Sequence, residues 1–321
     1  MLHFLSTRLW NGALVLLGVS FVSFLLFSYI GDPVNNLVGE TATVEQREAM
    51  RQTLGLDQPL VVRFVKYLGL AVRGDFGMSY RNLEPVSRVL LSRVPATLEL
   101  SLCAAVLALG VGIPLGVYAG IKRNTWPAQW LQVISLVGIS VPSFLTGIIL
   151  ILVFSVELNW LPAYGRGQTA SLGGWTTGLV TASGLKSLVM PSITLALFQL
   201  TLFMRLVRSE MLEVLRTDYI KFARARGIAE RSIYFRHALR NTLIPVITVA
   251  GLQLGALIAF SIITETVFQW PGLGLLIIQA ITFGDMPVIA AYLLLIAVLF
   301  IAINTAVDLL YFRVDPRVRL K

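Results

Sequence analysis

The stretch NTLIPVITVAGLQLGALIAFSIIT, from Asn241 to Thr264, decides the fold: it carries no charged side chain and stops at Glu265. A charge at mid-bilayer costs about 3 kcal/mol, and crossing the hydrocarbon core takes about 20 helical residues. A charge-free run of this length therefore marks a membrane-spanning helix. Working outward, the same test selects Leu9–Gly31, Leu100–Ile121, Asn124–Val156, Ser187–Met204 and Met286–Val307. The six intervals predict an all-α polytopic membrane protein with about six transmembrane helices. Asn124–Val156 exceeds the need of one span, so part of it is expected to be loop or tilted helix.

Composition agrees. Of 321 residues, 56% are hydrophobic and only 13% charged, about half the charged share of a soluble domain. The lone Cys103 excludes an internal disulfide, and His3 and His237 are too few and too far apart for a histidine metal site. In a soluble protein the net charge of +9 would suggest nucleic acid. In a membrane chain it marks the cytoplasmic face, and no nucleic-acid partner is expected.

Basic residues set the orientation. With the N-terminus inside, Lys122, Arg123, the set from Arg205 to Arg240, and Arg313, Arg317, Arg319 and Lys321 all fall in the cytoplasm. Two further charge-free intervals, Gly167–Leu185 and Thr266–Gly284, would flip later segments if either were counted alone. The first is rich in glycine, serine and threonine, and the second opens with the helix-breaking Trp270-Pro271-Gly272-Leu273-Gly274. Both are expected to be extracytoplasmic loops, the second a candidate for re-entry beside protein. The first apolar run is too long for a signal-peptide core, and Ser28-Tyr29-Ile30 is a poor cleavage site, so a retained helix is expected.

The scheme is residues 1–31 as cytoplasmic N-terminus and first span, 32–98 as a small extracytoplasmic helical domain, 99–312 as the transmembrane core with cytoplasmic loop 205–242, and 313–321 as a basic cytoplasmic tail. Within 32–98, Thr43 and Gln46 suit a capping box before a polar helix that Gly55 could end. Asp57 and Pro59 suit the start of an amphipathic helix through Val72. Trp10, Trp126, Trp130 and Trp160 fit the interfacial aromatic belt. Gly110, Gly112, Gly116 and Gly120 are spaced for close helix packing, and Pro114, Pro142 and Pro191 are candidate hinges.

No constellation for catalysis is present: neither a metalloprotease His-Glu-x-x-His nor a Gly-x-Ser-x-Gly elbow, and no complete phosphate-binding loop. If transport is ATP-driven, another chain must hold the nucleotide. An ion-coupled carrier would call for acidic residues at mid-span, and every membrane-adjacent carboxylate lies at a span edge. Glu99, Glu157, Asp285 and Asp308 are accordingly expected to be solvated. Glu265 is expected to be a hydrated interfacial carboxylate rather than a substrate contact, with a gate role left open.

The loop after the fourth span runs Asp218-Tyr219-Ile220-Lys221-Phe222-Ala223-Arg224-Ala225-Arg226-Gly227 and continues to His237-Ala238-Leu239-Arg240-Asn241. Asp218 can cap a short helix, slim at Ala223 and Ala225, that Gly227 ends. A slim, rigid helix can transmit a push from a docked partner; a basic loop that merely touches anionic lipid is the alternative. His237 is expected to cap or hydrogen-bond within the loop.

This loop resembles the EAA loop of ABC-importer permeases, with Lys221-Phe222-Ala223 in the Glu-Ala-Ala slot and Gly227 as its glycine. Lys221 and Phe222 depart from that pattern, and Leu239-Arg240 replaces Leu-Pro, as in the peptide branch. Further matches are Gly55-Leu56-Asp57-Gln58-Pro59-Leu60, Gly74-Asp75-Phe76-Gly77-Met78-Ser79, Pro95-Ala96-Thr97-Leu98-Glu99-Leu100, Val141-Pro142-Ser143-Phe144 and Glu265-Thr266-Val267-Phe268-Gln269-Trp270-Pro271-Gly272-Leu273-Gly274. Spanning nearly the whole chain in order, they resemble the B-type permease subunit of the dipeptide/oligopeptide/nickel ABC importers.

The resemblance implies a type I importer fold in the bacterial inner membrane and a heterodimer with a C-type permease. It also implies two cytoplasmic ATPase subunits that bind ATP and Mg, and an extracytoplasmic binding protein. Lys221, Phe222, Ala223, Arg224, Ala225, Arg226 and Gly227, with His237 and Arg240, would form the ATPase-coupling element. Glu265, Phe268, Trp270, Pro271, Gly272 and Gly274 are gate or path candidates. No cofactor or metal is expected in this chain. The cargo stays open among dipeptides, oligopeptides, glutathione, nickel complexes and sugars, with peptides leading.

Overall fold

Apolar runs become long helices because a segment in hydrocarbon must satisfy its backbone hydrogen bonds internally. The computed structural model describes residues 2–29, 43–53 and 57–314. In chain order the helices are α1 (Leu2–Tyr29), α2 (Val44–Thr53), α3 (Leu60–Val72), α4 (Val86–Ile121), α5 (Trp126–Ser140) and α6 (Ser143–Leu150). A π-helical stretch, Ile151–Glu157, continues α6. A two-stranded antiparallel hairpin follows, β1 (Ala170–Leu172) and β2 (Trp175–Thr177), pairing Ala170 with Thr177. The chain then forms α7 (Ala182–Val214), α8 (Asp218–Ala225), α9 (Leu239–Val267), α10 (Leu273–Phe283) and α11 (Met286–Val314). Leu9–Gly31 runs past the end of α1, and its last residues, with the start of the 32–98 segment, Gly55 and the tail beyond 314, lie outside the described residues.

Among the described residues, five helices are long and apolar enough to cross a bilayer: α1, α4, α7, α11 and the helical run Glu230–Val267 that contains α9. The pair formed by α5 and α6 with its π-helical continuation makes a sixth when counted as one span. It is bent by 104°, so the over-long interval Asn124–Val156 is two helices broken at Val141-Pro142. Proline disfavours the helical conformation in the residue before it, and Val141 is extended there (φ −83°, ψ 124°).

Three sequence expectations change. Gly167–Leu185 is not irregular throughout: it holds the hairpin and the start of α7. Thr266–Gly284 is mostly the helix α10, whose 11 residues are too short to span. The segment from Arg205, expected to be a loop, is helical as far as Val214, because α7 continues past its apolar part with charged residues on the same helix. Residue 98 lies within α4, whose 36 residues extend about 54 Å.

The described residues fall into two compact units, one within Met1–Pro95 and Gly272–Ala302, the other within Ala96–Pro271 and Ile303–Lys321. In the first, the capping box forms as expected: Gln46 N–H donates to Thr43 Oγ1 (3.3 Å) and Thr43 N–H to Gln46 Oε1 (3.1 Å). Helix α3 packs on α1 through Phe64, whose ring lies 5.3 Å from Phe21 and 5.4 Å from Phe24. Asp285 is buried and accepts from Ser79 Oγ (2.5 Å) and the Tyr80 N–H (3.2 Å), so the expected solvation does not hold.

In the second unit the core is built from Leu100, Ala104 and Ala108 of α4, Leu195, Phe203, Val207 and Met211 of α7, and Val246 and Leu257 of α9. Helices α4 and α7 touch backbone to side chain. A Cβ on Gly112 would lie 2.9 Å from Leu200 O, one on Gly116 2.6 Å from Met204 O, and one on Gly120 2.7 Å from Met211 Cβ. The small-residue spacing is therefore a packing seam, except at Gly110, where a Cβ meets nothing within 4 Å.

Candidate functional site

The helix α8 is short, and its two faces differ. Ile220 and Ala223 are buried in the core of the second unit, while Tyr219, Phe222 and Arg226 face outward, Phe222 at 64% exposure. A three-residue spacing places Ile220 and Ala223 on one side, so the underside is fixed and the outer side is free. Asp218 is not the cap: Thr217 holds that position without a side-chain cap bond, and Asp218 is the first helical residue, paired with Lys221 Nζ at 2.8 Å. That ammonium holds the Asp218 carboxyl below its usual range.

Gly227 ends the helix in the left-handed region, with φ +74°. A β-branched residue is strained there, whereas glycine is not. Beyond it, Arg224 Nε donates to Glu230 Oε1 at 2.8 Å, clasping the helix to the next turn. Asn241 Nδ2 donates to the Tyr219 hydroxyl at 2.7 Å, tying α8 to the start of α9. The entry to α9 is π-helical from Ile233 to Ala238 and contains His237. His237 is half-buried and makes no side-chain hydrogen bond among the described residues, contrary to expectation, and Arg240 is exposed.

The second group of candidates is packed rather than wet. Glu265, expected to be hydrated, is fully buried and accepts from Thr97 Oγ1 (2.7 Å) and Ser261 Oγ (3.2 Å). Trp270 is also fully buried; its Nε1–H donates to Ala96 O (2.9 Å), and its backbone N–H donates to Glu265 O (2.8 Å). Phe268 is buried, and its carbonyl accepts from the Gly165 N–H (2.9 Å). Pro271 follows, and Gly272 is the N-cap of α10, with Gly274 buried in its first turn. The segment from Glu265 to Trp270 thus closes on the start of α4 through one carboxylate and one indole.

Sequence reasoning missed the partners of this closure. Glu99, expected to be solvated, is buried and ion-paired with Arg166, and the Gly178 N–H donates to its Oε1 at 3.0 Å. The Arg166 guanidinium also donates to Thr176 O (2.7 Å) and Oγ1 (3.1 Å) and stands over the Trp270 ring, 5.9 Å from its centre. One buried arginine therefore joins α4, the β-hairpin and the Trp-Pro-Gly turn. Glu157 is exposed as expected.

A cavity of about 410 Å³ sits at the α5–α6 bend, lined by Pro142, Phe144, Thr194, Gln199, Phe260 and Thr264 among others. Gln199 Nε2 donates to Gln253 Oε1 at 3.0 Å, so an amide pair links α7 and α9 beside this cavity. Among the described residues no three His, Cys, Asp or Glu side chains converge as metal ligands.

Family models decide the identity. The binding-protein-dependent transport system inner membrane component matches residues 112–320, and the N-terminal part of such membrane components matches residues 1–101. The chain belongs to this family. It is 39% identical over 322 residues to the glutathione transport system permease protein GsiC of Escherichia coli K12, covering 100% of both chains. It is 37% identical to the dipeptide transport system permease protein DppB of Alkalihalophilus pseudofirmus, covering 95% of this chain and 96% of that one. A putative peptide transport system permease protein of Brucella abortus is 41% identical over 95% of both.

Among solved structures, the inward-facing MetNI methionine ABC transporter superposes with a TM-score of 0.58 at 20% identity, covering 72% of this chain and 99% of that chain. This family member is thus an integral membrane permease of an ATP-binding-cassette importer, with the fold expected from its sequence.

Proposed function

We propose that the chain imports short peptides, working as one half of a pore shared with a C-type permease. Two cytoplasmic ATPases bind ATP and Mg, an extracytoplasmic protein delivers the peptide, and this chain performs no hydrolysis itself. The observation that carries the substrate class is the transport role named for end-to-end relatives: dipeptide, glutathione and peptide transport. Glutathione is itself a short peptide, so one chemistry covers all three.

Within this scheme α8 is the coupling helix. Its support is the division of faces described above, with Ile220 and Ala223 anchored and Tyr219, Phe222 and Arg226 presented to an ATPase groove. Both termini and α8 are cytoplasmic, and the segment from Asp32 to the apolar part of α4 is extracytoplasmic. The buried closure of Glu265 and Trp270 on α4 serves as an outer gate. Nucleotide binds the two conformations with different affinity, and that difference drives the switch.

The test is reconstitution of the tagged chain with its co-purifying partners in liposomes. ATP-dependent uptake of a labelled dipeptide, requiring the binding protein, is the expected result. Gly227→Val and Ala223→Glu should abolish uptake while leaving insertion intact. Uptake by the chain alone under an ion gradient would replace this reading with a self-sufficient carrier.

A further inference from the structure

Two cavities of the second unit meet at Ile121 and Tyr234. One, of about 650 Å³, is ringed by Arg123, Arg216, Lys221 and Arg224. Lys221 and Arg224 are neutralised locally by Asp218 and Glu230. Arg123 and Arg216 are exposed, and their side chains have no acidic or hydrogen-bonding partner among the described residues. Two uncompensated guanidinium groups on one cavity attract an anion, and their planar forks suit phosphate oxygens.

The adjoining cavity, of about 500 Å³, is walled by Ile113, Val117, Tyr118, Phe235 and Leu239, with Lys122 its one charged residue. Ile113, Val117 and Ile121 repeat every four residues along one face of α4, so this apolar wall runs about 12 Å along the helix. It ends where the cationic cavity begins. A soluble phosphate or nucleotide would use only the charged half. An amphiphile uses both.

We propose that the joined cavities bind one anionic phospholipid, its phosphate on Arg123 and Arg216 and an acyl chain along the Ile113–Ile121 face of α4. Lys221 and Arg224 belong to α8, so the bound headgroup touches the helix assigned above to coupling. The lipid site itself does not depend on that assignment, because the charge pattern and the apolar wall stand without it. Its consequence for transport does.

The experiment is native mass spectrometry of the full chain with its partner subunits in mild detergent, titrated with phosphatidylglycerol against phosphatidylcholine. The wild type should retain phosphatidylglycerol preferentially, with inorganic phosphate failing to displace it. Each basic contact to an anionic lipid contributes measurably, so Arg123→Gln with Arg216→Gln should lower the retention ratio about thirtyfold. Tyr118→Glu, at the exposed edge of the apolar wall, should lower it by placing a carboxylate against the tail. Equal retention of the two lipids by the wild type overturns the proposal, as does an unchanged ratio in the double variant. Displacement by inorganic phosphate would identify a soluble-anion site, and loss of lipid whenever the ATPases are bound would identify an acidic protein surface; either outcome also overturns it. Because lipid binding is read without transport, it fails or succeeds separately from the importer reading.

Discussion

Replacing Arg166 by Met should be among the most damaging single changes to the second unit. The Arg166 side chain is 7% exposed and that of Glu99 2%, so the substitution strands a buried carboxylate. Glu99 would keep the Gly178 N–H but lose its counter-charge, and Thr176 O would lose its donor. Breaking a buried pair by removing one partner costs about 3–5 kcal/mol, most of it the penalty of the charge left behind. At about 2–4 °C per kcal/mol for a unit of this size, the melting midpoint should fall by about 10 °C. Cys103, the single cysteine, sits one turn along α4 from Glu99 and is half-buried. A fluorogenic thiol dye in detergent therefore reports melting of this unit without an added label. Adding Glu99→Gln to Arg166→Met removes the stranded charge and should recover at least half of the loss. If Arg166→Met melts within about 1 °C of wild type, or the double variant melts no higher than the single, the ion pair is not what holds the hairpin and α4 together.

The glycine seam gives a paired prediction. Gly116→Val places a side chain within 2.6 Å of Met204 O and should abolish recovery of folded protein, whereas Gly110→Ala, with open space around it, should leave yield and melting unchanged. Equal yields for the two would refute the seam. The α8 ion pairs predict a pH dependence. The Asp218 carboxyl, paired with Lys221, lies below its unfolded value, so its contribution is present above about pH 4 and is lost as pH falls through the lowered value. Hydrogen-exchange protection of residues 218–232, corrected for intrinsic rates, should be flat from neutral pH to about pH 5 and fall below about pH 4. Protection that rises on acidification would contradict the pairing.

Much of the fold was legible because lipid imposes one simple rule: no charge at depth. That rule located the long helices but not where they bend or how far they extend. Counting stopped at Arg205, although α7 runs on to Val214, since a helix leaving the membrane becomes polar without ending. Nor could a charge-free count show that Asn124–Val156 turns through 104°; only the Val141-Pro142 pair signalled it.

The candidate residues divide in the same way. The α8 helix and its glycine stop were readable because capping and the left-handed turn are local chemistry. Glu99 and Glu265 were misjudged because a carboxylate at the end of an apolar run looks the same whether it meets water or protein. Arg166 lies 67 positions from Glu99 and Thr97 lies 168 from Glu265, separations that one sequence does not connect.

The contact of Gly112, Gly116 and Gly120 with α7 bears on how far α4 and α7 can slide past one another. Side chains normally form a deformable layer that lets neighbouring helices slip by small amounts. Here the α4 side of that layer is missing over two turns, and its backbone rests directly on the backbone oxygens and on Phe203, Val207 and Met211 of α7. Slippage would have to proceed in steps of about one helical turn, or about 5.4 Å. The seam therefore disfavours small relative shear and holds α4 and α7 in register.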